Sequence, residues 1–353
     1  MVTNTMKDTM KVAVMTDLEK VEIIQRDIPE IKDEDVLVKV EYVGVCGSDL
    51  HYYEYGRIGD YIVQCPFVLG HEVAGTVVKV GSKVTTHKVG DRVALEPQIT
   101  NPESDFSKEG RYNLDESVIF FATPPVDGTF QEYVAHPAKL SFVLPDKVST
   151  LEGAMIEPLS VGLHAASQGG AKLGQTALVT GMGCIGLTAL LSLKAMGVST
   201  VVVIDFSDNR LKKAKELGAA LCLNPQKDDV KEAIQRLTHG RGVDLSIETS
   251  GAESAARQLI ELSRKGSTIV FVGYSASGEM TLPMSLVLDK ELTFKTVFRY
   301  RNTYPTAIQA LEKGQINVKN LVTDIFDFEN IQEGLQKALH HRDEVVKAAI
   351  KIS

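Results

Sequence analysis

The sequence predicts an α/β protein in which a doubly wound Rossmann domain is joined to an irregular β-barrel domain. Its 353 residues, 44% of them hydrophobic, are too many for one ordinary core and suit two domains. The part before about residue 145 consists of short strand-like segments, whereas strands alternate with helices after Thr150. We expect the barrel to span 1–160 and to be completed by about 300–353, with the nucleotide-binding domain at 161–299.

The predicted barrel strands are short and are separated by Gly and Pro. Apolar and polar residues alternate over 36–43, as in a half-buried strand, and 11–15, 73–80 and 92–95 continue the pattern. The C-terminal part of the chain resumes the strand-like pattern and could rejoin this domain. Its predicted elements are a strand at 324–328, a helix at 329–340 and a last strand at 345–352.

Six apolar runs between Thr150 and residue 299 predict the strands of a parallel sheet. Helical segments separate them, and this alternation is typical of a doubly wound sheet. The predicted strands are 176–180, 200–204, 220–223, 244–248, 268–273 and 292–297. Insertion of such a domain into the barrel domain would place an active site in the cleft between them.

A glycine-rich turn follows the first of these strands. In Gly181-Met182-Gly183-Cys184-Ile185-Gly186 the first glycine permits a tight turn, the second lets the backbone approach a pyrophosphate, and the third allows close helix packing. The next strand ends in Asp205, where a carboxylate can bind both ribose hydroxyls of NAD. Strand, turn, helix, strand and acid in this order predict a dinucleotide site.

Four dispersed residues supply the ligand types of a zinc site. Cys46 offers a thiolate, His71 an imidazole, and Glu72 and Glu157 carboxylates. A structural zinc is normally closed by four Cys or His ligands, whereas a catalytic zinc keeps one position open. The mixed set, which includes carboxylates, therefore favours a catalytic metal.

Composition excludes several other classes of protein. The net charge of −8 comes from interspersed charges without a basic block, which argues against nucleic acid as a partner. Four cysteines without regular spacing predict no disulfide framework and favour a reducing compartment, with the cytoplasm as the default. We expect no membrane insertion, because no apolar run is long enough and the N-terminus lacks the apolar core of a signal peptide.

Six segments of the chain are distinctive. They are Val45-Cys46-Gly47-Ser48-Asp49-Leu50-His51-Tyr52-Tyr53, Leu69-Gly70-His71-Glu72, Glu109-Gly110-Arg111-Tyr112-Asn113-Leu114, Ala122-Thr123-Pro124-Pro125-Val126-Asp127-Gly128, Ile156-Glu157-Pro158-Leu159-Ser160-Val161-Gly162 and Phe298-Arg299-Tyr300. With these segments the chain resembles a known family, the zinc-dependent medium-chain dehydrogenases, over nearly its whole length, and within it the polyol dehydrogenases. The resemblance implies a GroES-like fold for the barrel. It also implies one catalytic zinc per subunit held by Cys46, His71 and Glu72, with Glu157 hydrogen-bonding the zinc-bound water or exchanging as a ligand.

The lobe at 98–116 departs from the family pattern. Many relatives carry four cysteines there that bind a structural zinc. The matching positions in this chain are Asn101, Ser104, Ser107 and Asp115. Neutral amide and hydroxyl oxygens are poor zinc ligands compared with thiolates. We therefore expect the second zinc to be lost and the lobe to be held by packing and hydrogen bonds.

The resemblance implies oxidation of a polyol to a ketose with hydride transfer to NAD⁺. Zinc would lower the pKa of the alcohol. Two proton routes remain open, one through Ser48 and the nicotinamide ribose to His51, the other through Glu157 and bound water. The expected substrate-binding residues are Tyr53, Glu157, Arg299 and Tyr300.

Further cofactor contacts are expected at the carboxyl ends of the sheet strands. Arg210 lies five residues beyond Asp205 and would pack on the adenosine. Two more segments follow the fifth and sixth predicted strands. They are Val272-Gly273-Tyr274 and Val297-Phe298-Arg299.

Two other functions would also use parts of this pattern. A zinc-free, NAD(P)H-dependent reductase of the quinone reductase kind would keep the fold but would not need the four metal ligands. A nucleotide-binding protein without activity would need only the glycine turn and Asp205. The resemblance implies a homotetramer joined through about 280–298, and the stereochemistry and phosphorylation of the polyol are left open.

Overall fold

The fold is taken from a computed structural model that describes residues 9–275 and 277–353. The chain forms two compact units. The first contains the described residues up to Glu157 together with Tyr304–Glu312 and Val322–Ser353, and the second contains Pro158–Thr303 and Lys313–Leu321. Compared with the expected ranges, the first unit ends after Glu157 rather than after residue 160, and Lys313–Leu321 belongs to the second unit.

The described residues form strands, α-helices and single-turn 3₁₀ helices. The strands are β1 (Thr9–Asp17), β2 (Lys20–Asp27), β3 (Asp35–Gly44), β4 (Arg57–Ile58), β5 (Tyr61–Ile62), β6 (Glu72–Val80), β7 (Arg92–Leu95), β8 (Gln98–Ile99), β9 (Ile119–Phe120), β10 (Tyr133–Pro137), β11 (Ser141–Val143), β12 (Thr176–Thr180), β13 (Thr200–Ile204), β14 (Leu221–Leu223), β15 (Val243–Glu248), β16 (Ser263–Phe271), β17 (Thr293–Thr296), β18 (Asp324–Asp327) and β19 (Ala348–Lys351). The helices are α1 (Gly47–Tyr55), α2 (Asp105–Lys108), α3 (Thr150–Ala154), α4 (Ile156–Gln168), α5 (Cys184–Ala195), α6 (Asp208–Glu216), α7 (Val230–Leu237), α8 (Glu253–Leu262), α9 (Met284–Asp289), α10 (Tyr304–Glu312) and α11 (Ile331–His340). The 3₁₀ helices are Tyr112–Leu114, Ala138–Leu140, Lys319–Leu321 and Phe328–Asn330.

The first unit is built on a mainly antiparallel sheet. Its strand order is β11-β7-β6-β3-β19-β18, and β10 also pairs with β3. The C-terminal strand β19 lies between β3 and β18, antiparallel to the former and parallel to the latter. Residues from the far end of the chain therefore lie beside the strand that leads to Cys46. The C-terminal segment thus forms part of the sheet of this unit.

Some elements of this unit were not predicted. Strand β2 pairs with β1 along its length. Its exposed and partly buried residues alternate, and its three apolar residues form no continuous run. Helix α1 is short, and its residues Gly47–Tyr55 are mostly polar or aromatic. The last strand is shorter than expected, because it begins at Ala348 rather than at residue 345.

The second unit is a six-stranded parallel sheet with the order β14-β13-β12-β15-β16-β17. This arrangement confirms the predicted doubly wound fold. The chain leaves β12 toward β13 and returns to the other side of β12 as β15. The order of strands thus reverses between β12 and β15, and ligands of such sheets bind outside the carboxyl ends at this point.

Candidate metal and cofactor sites

Cys46 lies at the N-terminus of α1, two residues after β3 ends. Its backbone is extended, with φ −88° and ψ 156°, and its N–H donates to Asp49 Oδ2 at 2.9 Å. A carboxylate three residues into a helix commonly binds the backbone at the cap in this way. The sheet and the helix start therefore fix the position of the thiol.

His71 and Glu72 lie at the start of β6, and both side chains are buried. Because Glu72 pairs with Gly44 across the sheet, β6 brings these side chains to the end of β3 where Cys46 follows. The potential ligand atoms of Cys46, His71 and Glu72 lie within 4.8 Å of one another. Among the described residues this is the one such group of three or more.

Asp49 is fully buried and lies beside the imidazole of His71. Its Oδ1 lies 3.6 Å from His71 Nδ1 and accepts the Gly70 N–H at 2.9 Å. Burial lowers the pKa of His71, but the nearby Asp49 and Cys46 outweigh burial and raise that pKa well above its usual value. A carboxylate beside one ring nitrogen of a ligand histidine commonly fixes the ring so that the other nitrogen faces the metal. At 3.6 Å from Asp49, Nδ1 has no hydrogen-bond partner, so Nε2 as the metal-binding nitrogen stays a prediction.

Only one of the two oxygens of the Glu72 carboxylate has a hydrogen-bond partner. Oε1 accepts the Lys347 ammonium at 2.5 Å, whereas the buried Oε2 has no hydrogen-bond partner. A Cβ on Gly44 would lie 1.9 Å from this oxygen, so the strand carries a residue without a side chain there. A buried carboxylate oxygen without a hydrogen bond lowers the stability of the folded protein unless a cation binds it. The thiol, imidazole and carboxylate therefore fit a zinc ion with an open fourth position.

Glu157 lies in the first turn of α4 and is buried. It is not in the group of three, so its role as a ligand or as a partner of metal-bound water stays a prediction. Ser48 and His51 both lie on α1, where a spacing of three residues places them on one side of the helix. His51 is exposed, and its ring contacts Tyr55 with centroids 4.8 Å apart. The proton route through these residues also stays a prediction.

Tyr53 differs from its predicted role. Its side chain is fully buried, and its hydroxyl donates to Glu19 O at 2.6 Å and accepts from Gln332 Nε2 at 2.8 Å. The hydroxyl thus joins α1 to other parts of the first unit. These two hydrogen bonds indicate a structural role for Tyr53 and count against its assignment to substrate binding. The sequence motif did not show in which direction the tyrosine side chain points.

The glycine turn has the geometry expected for a pyrophosphate site. Gly181 has a φ of +85°, and a Cβ on Gly186 would lie 1.7 Å from Gly181 O, so neither position accepts a side chain without strain or displacement. Gly183 precedes the first residue of α5 and faces open space, since a Cβ there would meet no atom within 4 Å. The N-terminus of α5, including Cys184 and Ile185, is thus open to an anionic ligand.

Asp205 lies at the end of β13 and beside this turn. Its Oδ2 accepts the Met182 N–H at 2.6 Å, and its Oδ1 accepts the Ser207 N–H at 2.8 Å. Arg210 Nη1 lies 3.9 Å from Oδ2. An ionised carboxylate accepts about four hydrogen bonds, so both oxygens keep capacity for ribose hydroxyls.

The segments after β16 and β17 lie next to each other at the carboxyl end of the sheet. Val297 N–H donates to Phe271 O at 2.9 Å, and the exposed Tyr274 follows Val272 and Gly273. Glu248, a buried residue that no sequence motif marked, accepts the Gly251 N–H of the loop after β15 at 2.9 Å. Val272 N–H also donates to Glu248 O at 2.8 Å, so hydrogen bonds join the ends of β15, β16 and β17.

Arg299 and Tyr300 have different environments. Arg299 has a φ of +56°, which is rare for a residue with a side chain and is often found at functional sites. Its guanidinium lies 4.7 Å from the centroid of the Phe298 ring. Tyr300 is fully buried. Their predicted substrate contacts stay predictions.

The lobe that lacks the four cysteines is held by hydrogen bonds among the same four positions. Asp115 Oδ2 accepts the Asn101 N–H at 2.6 Å, and Ser104 Oγ donates to Ser107 Oγ at 2.9 Å. Asp115 Oδ1 also accepts from Ser117 N–H and Oγ at 3.0 and 2.8 Å. A carboxylate thus acts as the centre of this loop. The four cysteines of the chain form no disulfide with one another, and no helix of the described residues is long and apolar enough to cross a bilayer.

Comparison with known proteins agrees with this geometry. Residues 32–146 match the alcohol dehydrogenase GroES-like domain, and residues 184–313 match the zinc-binding dehydrogenase domain. The chain is 42% identical over 348 residues to sorbitol dehydrogenase of Bacillus subtilis, covering 99% of both chains, and 47% identical over 311 residues to that of Homo sapiens, covering 88% and 87%. A crystal structure of an Escherichia coli oxidoreductase of unknown specificity superposes with a TM-score of 0.94 at 37% identity, covering 98% of this chain and 99% of the other.

The fold, the three-ligand cluster and these matches place the chain in the zinc-dependent medium-chain dehydrogenases. Within that family it is similar to the sorbitol dehydrogenases over nearly its full length.

Proposed function

We propose that this protein is an NAD-dependent polyol dehydrogenase that oxidises a secondary alcohol of a small polyol to a ketose. The observation that carries the proposal is the group Cys46, His71 and Glu72, with its bare carboxylate oxygen, in a chain whose other unit has the glycine turn and Asp205. The similarity to sorbitol dehydrogenases supports a polyol as the substrate class. We place the reaction in the cytoplasm.

The roles of the residues follow from their chemistry. Zinc, when bound, lowers the pKa of an alcohol and polarises a ketone. Ser48 and His51 could move the alcohol proton to solvent along α1, and Glu157 through water is the other route. Glu157, Arg299 and Tyr300 are the proposed partners of substrate hydroxyls, since a site that bonds such groups rejects analogues that lack them.

The metal assignment is tested by ligand removal. Cys46→Ser replaces a thiolate by a weak ligand, and His71→Ala removes the imidazole, so either variant should lose zinc and turnover while still binding NADH. Cys65→Ser is the matched control, because Cys65 is exposed and lies outside the cluster. More than a few per cent of wild-type turnover in zinc-depleted Cys46→Ser protein would refute the assignment.

The substrate class is tested with a panel of sorbitol, xylitol, L-iditol, galactitol and arabitol, with and without a phosphate group. Formation of NADH with at least one member is expected. A wild-type protein without zinc that reduces quinones would favour the reductase alternative. A protein that binds zinc and NAD⁺ but oxidises no polyol would favour a binding role.

We also propose a homotetramer joined through about 280–298. β17 is the edge strand of the parallel sheet, and the preceding α9 exposes Met284 and Leu288, the latter with 75% of its surface accessible. An unpaired edge strand beside exposed apolar side chains favours association. Light scattering should give four times the chain mass, and Leu288→Lys should lower the measured mass.

A further inference from the structure

A lysine near the C-terminus is buried beside the predicted zinc ligands. The side chain of Lys347 is 3% exposed, and its Nζ donates to Glu72 Oε1 at 2.5 Å and to Val45 O at 2.8 Å. An ammonium group buried to this degree requires a paired charge and hydrogen bonds. Because Val45 immediately precedes Cys46, this one group contacts both chain segments that carry the ligands.

The backbone around Lys347 is fixed as well. Val45 N–H donates to Ala348 O at 2.9 Å, and Lys347 O accepts from Thr323 N–H at 2.9 Å and from Thr323 Oγ1 at 3.3 Å. Strand β19 begins at the next residue and pairs with β3. These hydrogen bonds and the pairing of β19 fix the backbone position from which the ammonium group extends.

The contacts of Glu72 determine what this lysine can do. Lys347 binds Oε1, whereas the buried Oε2 beside Gly44 has no hydrogen-bond partner. We propose that Lys347 is a positioning residue that makes Glu72 a one-oxygen zinc ligand and adds one positive charge next to the metal. The inference rests on the proposed zinc site.

The added charge has a chemical consequence. A thiolate and a carboxylate together offset the two charges of Zn²⁺, so the ligand set with a neutral imidazole has no net charge. The buried carboxylate of Asp49, 3.6 Å from His71, adds one negative charge, which the ammonium of Lys347 offsets. Positive charge nearby favours deprotonation of an alcohol substrate.

Zinc affinity gives a test that does not depend on turnover. Lys347→Met keeps most of the aliphatic length but removes the charge and the donors. Loss of a group that holds a metal ligand typically weakens metal binding by about 10–100-fold, which we expect in competition with a chromogenic chelator. Lys351→Met is the matched control, because Lys351 is exposed and lies at the other end of β19, the strand that begins just after Lys347. The zinc affinity of this variant should stay at the wild-type level.

The spectrum of the Co²⁺-substituted protein tests the positioning itself. With Lys347→Met both oxygens of Glu72 become available, so the visible bands should lose intensity as the coordination number rises. The spectrum of Lys351→Met should match that of the wild type. A general loss of stability would not produce this difference between two folded variants.

The outcomes separate this inference from the proposed function. If the wild type binds no zinc, the proposed zinc site fails. If the wild type binds zinc and Lys347→Met binds it equally well with an unchanged Co²⁺ spectrum, only the role of Lys347 is refuted. Should Lys347→Met not fold, Lys347→Gln replaces it, and wild-type affinity in that variant would overturn the inference.

Discussion

Protonation of His136 is predicted to destabilise the fold in acid. His136 lies on β10 and is fully buried; its Nε2 is 2.9 Å from Glu96 O, and its Nδ1 has no hydrogen-bond partner. The neutral ring therefore donates from Nε2. A proton on Nδ1 would place a charge and an unpaired N–H in the core, and burial accordingly lowers the pKa of His136 from 6.5 to about 4, despite the opposing hydrogen bond.

The direction and the size of the change in stability with pH follow from this pKa shift. Because the pKa is lower in the folded state, the unfolded chain binds the proton first, and stability is lost as the pH falls below 6.5 toward about 4. Between about pH 7.5 and about pH 5 the loss is about 2 kcal/mol from this one residue. Glu96 acts in the opposite sense, because burial raises the pKa of its carboxyl.

The assay compares wild type with His136→Gln, which keeps a donor for Glu96 O but cannot be protonated. Urea unfolding of the zinc-loaded proteins at both pH values gives the change in free energy of unfolding. The variant should lose about 2 kcal/mol less than wild type over this range. Glu96 and the zinc ligands are the same in both proteins, so their effects cancel.

The control is His239→Asn. His239 is exposed and has a φ of +52°, a conformation that asparagine tolerates. This variant should follow the wild-type dependence on pH. If His136→Gln loses as much stability in acid as wild type does, burial of His136 does not control the effect and the argument is wrong.

Three further predictions concern the metal and the cofactor. After exhaustive dialysis the protein should retain one zinc per subunit, because the lobe is centred on Asp115 rather than on thiolates; a ratio near two would contradict this. Gly44→Ala should weaken zinc binding and cost about 1–3 kcal/mol of stability, because its Cβ would lie 1.9 Å from Glu72 Oε2; metal analysis and urea unfolding measure both. Asp205 should confer a preference for NAD⁺ over NADP⁺ of roughly a hundredfold or more in kcat/KM, since its carboxylate repels a 2′-phosphate. Asp205→Ala should reduce that preference, and equal or better use of NADP⁺ by wild type would show that the role is wrong.

Local patterns in the sequence were sufficient for the fold class and for most of the metal site. Most of the parallel strands are buried and appear as apolar runs, and five of the six were predicted to within one residue of their observed bounds. The exception is β16, which begins at Ser263, five residues before its predicted start. The glycine turn was recognisable because only glycine fits its backbone at Gly181 and Gly186. Strand β2 was missed because its few apolar residues, Val21, Ile23 and Ile24, lie among charged and amide side chains, although exposed and partly buried positions alternate along it.

Contacts between distant parts of the chain were decided only by the tertiary structure. Nothing in the sequence near Lys347 or Glu72 relates two residues 275 positions apart, yet strand β19 brings their charges together. The direction of the Tyr53 hydroxyl was likewise set by Glu19 and Gln332, which are remote from it in sequence. The sequence by itself determined which elements form and which residue types could bind zinc and NAD, because these depend on local periodicity and side-chain chemistry. The pairing of strands decided how each ligand is held, since the partners of a buried charge are supplied by packing.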